Sequence, residues 1–352
     1  MQVIDASALR HLAMGAAVLS AGGGSFPYLE LLSAEEMLQS HPPVPLIPAM
    51  QLPDDARVAL VAMVGAPLAL SERLVDAEHF ARPVAVLAEY LGVSFDAVMG
   101  YEIGSMNSLI PAMVAMRVGL PLVDADTLGR SFPEIQMSAF AIAGLEMTPM
   151  VASDIRDNDV ILSTAASGRW IENLLRPLAT TCGSILAVCG CHSGRQIKLH
   201  AHLGSYSRAI RIGAAILDAQ AHRADPVASL FSRERGSVLA RGKVLDVMRN
   251  TTDGFVRGQV QIEIGAGSTV RVHFQNEYTL VEIGQRLLAM VPDLITILDS
   301  ERGEPLGTEA LRYGQHVVLA RMPALERHLT PHALAAVGPR AFGYDFDYEA
   351  AP

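Results

Sequence analysis

The chain has 352 residues, enough for two domains that each bury a core, and with 50% apolar against 18% charged residues it is neither a minimal binding module nor a disordered chain. Lys and Arg number 27 against 37 Asp and Glu, and the net charge of −10 repels nucleic-acid phosphates and anionic lipid. Aromatics at 5% argue against base-stacking surfaces, three cysteines within ten residues make no disulfide framework and fit a reducing cytoplasm, and the first residues lack a signal peptide's basic and apolar regions.

In chain order, Ser7 is placed to cap a helix whose apolar positions Leu9, Leu12, Ala13, Ala16 and Leu19 recur at three and four residues, with Gly22-Gly23-Gly24 as its stop. Pro27 suits the first turn of a second helix over Tyr28 to Leu38. Apolar runs at Val58 to Val64, Asp96 to Met99 and Leu120 to Val123 predict buried strands, separated by helices near Val84 to Leu91 and Asn107 to Val118. This β-α-β-α-β order predicts a parallel sheet with right-handed crossovers. Strands near Met150 and Val160 to Leu162 follow, and Ala165-Ala166-Ser167-Gly168 reads as a joint before a helix around Trp170. Pro177 to Gly194, a long run without a charge, carries three glycines and several polar residues, so it reads as buried interior rather than a membrane span.

After a helix over Ser205 to Ala221 the pattern changes to short β-rich segments: Ser237–Met248, Phe255–Ile264, Ser268–Phe274, Leu294–Leu298 and His316–Leu319, with Thr252-Asp253-Gly254 as a turn. The expected architecture is α/β: an N-terminal domain over residues 1–165 with a mostly parallel sheet and flanking helices, then a C-terminal α+β domain over residues 166–352 with a β-rich sheet or barrel.

The densest cluster of reactive residues is Cys189-Gly190-Cys191-His192, followed by His200 and His202; of eleven histidines and three cysteines, five fall within fourteen residues, which points to a shared site. On strands, Cys189 and Cys191 would share one face, as would His200 and His202, and thiolate and imidazole are zinc's preferred ligands. The competing readings are small buried thiols beside ordinary histidines, and a nucleophilic cysteine. Gly23 and Gly24 offer amides to an anion at the next helix, although the run matches no nucleotide-binding pattern, so no nucleotide is expected. Gly65-Ala66-Pro67, Glu102 and Asp124-Ala125-Asp126 each follow a predicted strand, so they should converge at the carboxyl end of the sheet, as proton-transfer groups, metal ligands or helix caps. Arg130 is a candidate clamp for a carboxylate or phosphate, or an ion pair with Glu134; Asn107 stands at a helix start, where capping competes with binding. His273-Phe274-Gln275-Asn276-Glu277 reads as a solvated strand end.

These segments carry a family resemblance. The glycine run before Pro27, Gly65-Ala66-Pro67, Glu102-Ile103-Gly104 with Asn107, Asp124-Ala125-Asp126 with Gly129-Arg130 and Phe132-Pro133-Glu134, Phe274-Gln275-Asn276-Glu277, Pro292-Asp293-Leu294-Ile295 and the stretch from Gly338 to Asp345 resemble the S-methyl-thiohydantoin desulfurase-like family, associated with hydantoinase/oxoprolinase proteins. The resemblance spans nearly the whole chain. It implies an N-terminal α/β domain, a partly β-rich C-terminal domain, and hydrolysis of an S-methylated thiohydantoin to hydantoin and methanethiol.

On this reading the chain is a cytoplasmic hydrolase in which zinc, held by Cys189, Cys191 and His192 with His200 and His202 as alternates, activates water. Glu102, Asp124 or Asp126 moves the proton, while Gly23, Gly24, Asn107 and Arg130 hold the ring. Two alternatives stand beside it: attack by Cys189 or Cys191, and a non-catalytic subunit of a hydantoinase/oxoprolinase assembly. The expected partners are a small cyclic amide or thiohydantoin, further copies of the chain, and such an assembly, with no nucleic acid or membrane.

Overall fold

Long apolar runs bounded by turn residues become strands, and the computed structural model, which describes residues 2–65, 77–252, 255–265 and 267–350, arranges them in two sheets. Ala66-Pro67 and the Asp253-Gly254 turn lie outside the described residues. The first sheet uses β1 (Gln2–Ile4), β2 (Val44–Pro48), β3 (Arg57–Gly65), β4 (Ala97–Gly100), β5 (Leu122–Asp126), β6 (Met150–Ser153), β7 (Asp159–Leu162), β8 (Ile185–Ser193) and β9 (His202–Leu203). Their order is β1-β2-β5-β4-β3-β8-β6-β7, with β9 paired to β5. The centre, β2-β5-β4-β3, is parallel as the crossover pattern predicts, while β1, β8, β6, β7 and β9 add antiparallel edges.

Period-two alternation splits β3 between two apolar layers. Ala59 and Val61 face helices α1 (Ala6–Leu19), α3 (Ala77–Leu91) and α4 (Met106–Val118), whereas Val58 and Leu60 face the layer completed later in the chain. Between α1 and α3 lies α2 (Tyr28–Met37); a single turn, α5 (Ala139–Ile142), follows β5. The far layer is covered by α6 (Gly168–Thr181) and α7 (Gly194–His200), and the near one also by α8 (Ser205–Ala221) and α9 (Pro226–Arg233). α1 and α8 pack backbone to backbone: a Cβ on Gly15 would meet the Ala209 carbonyl oxygen at 1.7 Å, and one on Gly213 that of His11 at 1.8 Å. The N-cap of α1 is Asp5, not Ser7; its carboxylate accepts the Ala8 N–H at 2.8 Å, a charge the helix dipole favours.

The second sheet is antiparallel and curls into a half-barrel in the order β14-β13-β12-β11-β10-β16-β15. Its strands are β10 (Ser237–Thr252), β11 (Phe255–Glu263), β12 (Thr269–Gln275), β13 (Glu277–Ile283), β14 (Arg286–Met290), β15 (Leu294–Asp299) and β16 (His316–Met322), and the short helix α10 (Pro331–Val337) follows. Val260, Ile262, Val272, Ile297 and Leu319 fill its concave side. Leu298 and Val318, one residue out of phase, face the other way and join the core of the first sheet, so the two units share a buried seam. Strands β13 and β14 were not anticipated from sequence. Among the described residues, no helix is long and apolar enough to cross a membrane.

Candidate active site

Hydrogen bonds from the half-barrel secure the glycine loop after α1. The Tyr278 N–H donates to Ala21 O at 2.7 Å, the Thr308 N–H to Gly22 O at 2.9 Å, and the Ser25 N–H to Glu309 Oε1 at 2.9 Å. The loop forms one wall of a cavity with about 930 Å³ of empty space, part of it open to solvent, at the carboxyl ends of β3 and β4, where parallel sheets present ligands. Gly65, Glu102, Asn107 and Ser131 line it from the first sheet and its loops, and Asn276 and Glu277 from the second. A Cβ on Gly23 would lie 2.4 Å from Glu277 Oε1 and one on Gly24 2.9 Å from Ser105 Oγ, so either would displace the side chain it meets.

Carboxyl groups dominate the cavity's chemistry. Glu102, just past β4, has its pKa pushed up from 4.5 to about 7 by burial, opposed by hydrogen bonds from Ser131 and Asn107 and reinforced by the Asp126 charge. Asn107 sits inside the first turn of α4 rather than capping it. Its Oδ1 accepts the Met63 N–H at 2.8 Å, and its Nδ2 donates to Met63 O at 3.3 Å and to Glu102 Oε1 at 3.5 Å, tying the end of β3 to the acid. Glu277 begins β13 and is only 5% exposed; burial and then the Glu102 charge push its pKa up, with Arg130 opposing. Among the described residues its Oε2 has no hydrogen-bond partner. Two buried acids whose pKa values are both raised suit the donation and acceptance of protons at one site.

Asp126 and Arg130 lie behind this wall. Asp126 is fully buried, and its Oδ2 accepts the N–H groups of Ile103, Leu128 and Gly129 at 2.8 to 3.1 Å, holding the loops that carry Glu102 and Ser131; burial pushes its pKa up to about 7. Arg130, 2% exposed, donates to the carbonyls of Ser131, Pro292 and Asp293, and its guanidinium lies 4.6 Å from the Phe132 ring centre. It forms no ion pair with Glu134; its charge faces Glu277, Asp293 and Glu102. Asp124 turns elsewhere, accepting the Ser207 N–H at 3.0 Å and hydroxyl at 2.5 Å at the start of α8, so it serves as a structural cap. At the cavity's edge, Glu172 pairs with Arg176, whose guanidinium stacks 4.6 Å from the Phe255 ring centre of the half-barrel.

The five Cys and His candidates occupy three separate places. Cys189 and Cys191 point into the layer covered by α3, where burial pushes both thiol pKa values up, and neither lines the cavity. His192, the next residue along the strand, enters the opposite layer, 4.7 Å edge-on from the Phe140 ring, and burial pushes its pKa down to about 4. His200 ends the helix α7 rather than sharing a strand with His202. His202, on β9, lies 4.8 Å from the His328 ring, and these three histidines line a second pocket. Among the described residues no three His, Cys, Asp or Glu side chains converge to hold a metal.

Glu277, Asn276, Ser105 and Ser131 were not among the site residues read from sequence. A signal for Glu277 was present in the polar Gln275-Asn276-Glu277 stretch, but a strand end that meets a distant loop is buried rather than solvated.

Comparison with known proteins accords with this two-part arrangement. Models of the S-Me-THD-like N-terminal and C-terminal domains match residues 7–164 and 166–351. No curated protein matches the chain significantly. Among solved structures, a protein from Chromobacterium violaceum, known from its X-ray crystal structure, is similar over 99% of both chains at 22% identity and a TM-score of 0.83, a likeness of fold.

Proposed function

The chain belongs to the S-Me-THD-like family over both of its domains, and from that premise we propose that it hydrolyses an S-methylated thiohydantoin to the hydantoin and methanethiol in the cavity between the two sheets. The observation that carries this reading is the pair of carboxyl groups, Glu102 and Glu277, which line one cavity from different sheets and are both raised in pKa by burial. In the net reaction the ring carbon loses sulfur and gains the oxygen of water; one proton of that water ends on the ring nitrogen and the other on the departing thiolate. Each proton needs a carrier of pKa near neutrality. Ionised Glu102 takes the proton of the incoming oxygen, and protonated Glu277 supplies one to the ring nitrogen or sulfur.

Asn107 holds Glu102 in place, and the wall of glycines lets a flat ring approach the carboxyl groups. The separated Cys and His side chains do not form the zinc-ligand set expected from their spacing, so no step is routed through that metal. Purified protein should release methanethiol, followed with a thiol-reactive dye, from 5-substituted S-methyl-thiohydantoins, with the hydantoin detected by mass. Hydantoins and unmethylated thiohydantoins serve as controls. No thiol release from any S-methylated ring overturns the reading.

A further inference from the structure

Ser105 lines the same cavity, and the proton chemistry above gives it no task. It stands at the turn between β4 and α4 with φ 37° and ψ −125°, a conformation costly for any residue that carries a Cβ. A strained serine at a sharp strand-to-helix turn, above the carboxyl end of a parallel sheet, is the geometry that presents a nucleophilic hydroxyl in serine hydrolases. Here β4 is such a strand, paired in parallel on both sides.

The hydroxyl is not used for capping. It makes no bond to the first turn of α4 and instead donates to the Ser25 carbonyl at 2.7 Å; among the described residues no N–H or O–H donates to it. The neighbouring loop brings an acid close by. A Cβ on Gly24 would lie 2.9 Å from Ser105 Oγ and one on the preceding Gly23 2.4 Å from Glu277 Oε1, and among the described residues the buried Glu277 Oε2 atom has no hydrogen-bond partner.

We propose that Ser105 is the catalytic nucleophile, adding through Oγ to the ring carbon that bears the methylthio group; the assignment rests on the desulfurisation reading above. The Oγ–carbon bond forms as the carbon–sulfur bond breaks. The hydroxyl proton passes to ionised Glu102, and methanethiolate leaves with a proton from protonated Glu277. Water then attacks the same carbon, Oγ departs and regains a proton, and the second water proton ends on the ring nitrogen of the hydantoin. No electrons are exchanged and the enzyme is restored.

The test uses the full chain with a fluorophosphonate, which phosphonylates activated serines irrespective of substrate. Intact mass and peptide mapping should show one adduct, on Ser105, absent from Ser105→Ala. In the thiol-release assay Ser105→Ala should lose about 1,000-fold or more in kcat. Rapid mixing of wild type should give a burst of one methanethiol per chain ahead of hydantoin. Ser105→Gly should be equally inactive but melt at a higher temperature than wild type, since glycine adopts this backbone without strain, which separates loss of the hydroxyl from loss of the fold.

Absence of the Ser105 adduct, or a folded Ser105→Ala within about tenfold of wild-type kcat, overturns the assignment. Thiol release that survives Ser105→Ala refutes the nucleophile and leaves the desulfurisation reading standing. Labelling of Ser105 in a protein that releases thiol from no ring refutes that reading instead.

Discussion

Replacing Glu102 with glutamine should lower activity and raise stability, the latter only on the alkaline side. Burial lifts the Glu102 pKa from 4.5 to about 7, and each unit corresponds to about 1.4 kcal/mol. Because the folded value lies above the unfolded one, the folded state keeps a proton that the unfolded chain releases between these two pH values. Its contribution to stability is therefore full below 4.5 and declines as pH rises through 7. Glutamine reproduces the shape of the protonated acid, can still accept from Asn107 and Ser131, and cannot ionise. The variant should therefore gain up to about 3 kcal/mol at pH 8.5 and less than about 1 kcal/mol at pH 5, measured by urea unfolding with both proteins at each pH. Over the same range thiol release should fall by a factor of about 10² to 10⁴, the usual size of a lost general acid or base. A Glu102→Gln protein that is equally destabilised at both pH values, or that gains nothing at pH 8.5, would refute the claim that burial strains this carboxylate.

Two further outcomes follow from the packing. Gly23→Ala places a methyl group 2.4 Å from the present position of Glu277 Oε1, so the acid must move; thiol release should drop about 100-fold with the melting transition retained, and an unchanged rate would remove Glu277 from the chemistry. His192, its pKa lowered to about 4 by burial, supplies stability that is present above pH 6.5 and lost as pH falls through 4, up to about 3 kcal/mol. His192→Leu should shift acid unfolding to lower pH without altering the rate at pH 8; an unmoved acid midpoint would contradict a buried neutral imidazole.

The parts of the fold legible in the sequence are those whose cause is local. The apolar run at Val58 to Val64 is a strand because it is buried on both faces, and the helices over Asn107 to Val118 and Ser205 to Ala221 hold their period within a few turns. Together they specify the parallel centre of the first sheet. The half-barrel was readable as a series of short β segments, but Glu277–Ile283 and Arg286–Met290 were not, since their burial comes from pairing with each other and with β12.

For the site, proximity in sequence misdirected where proximity in space decided. Cys189, Cys191 and His192 are adjacent in the chain, yet a strand alternates its faces, so the imidazole and the thiols enter opposite layers and cannot share a ligand. Glu102 was recognisable because ligands gather at the carboxyl ends of parallel strands, whereas Gly23 and Gly24 stood out as amides before a helix and Asn107 as a helix-start residue; all four line the cavity. Asp124 and Asp126 belonged to the same pattern, but hydrogen bonds from Ser207 and from three loop N–H groups occupy them. The sequence by itself determined the two-part architecture, its parallel centre and the sheet end where a cavity opens, because apolar periodicity and turn residues act over a few positions. Only the tertiary structure decided that Glu277, 175 residues beyond Glu102, shares that cavity and that Ser105 stands strained beside it, because charge repulsion, burial and backbone strain exist only once distant segments are packed together.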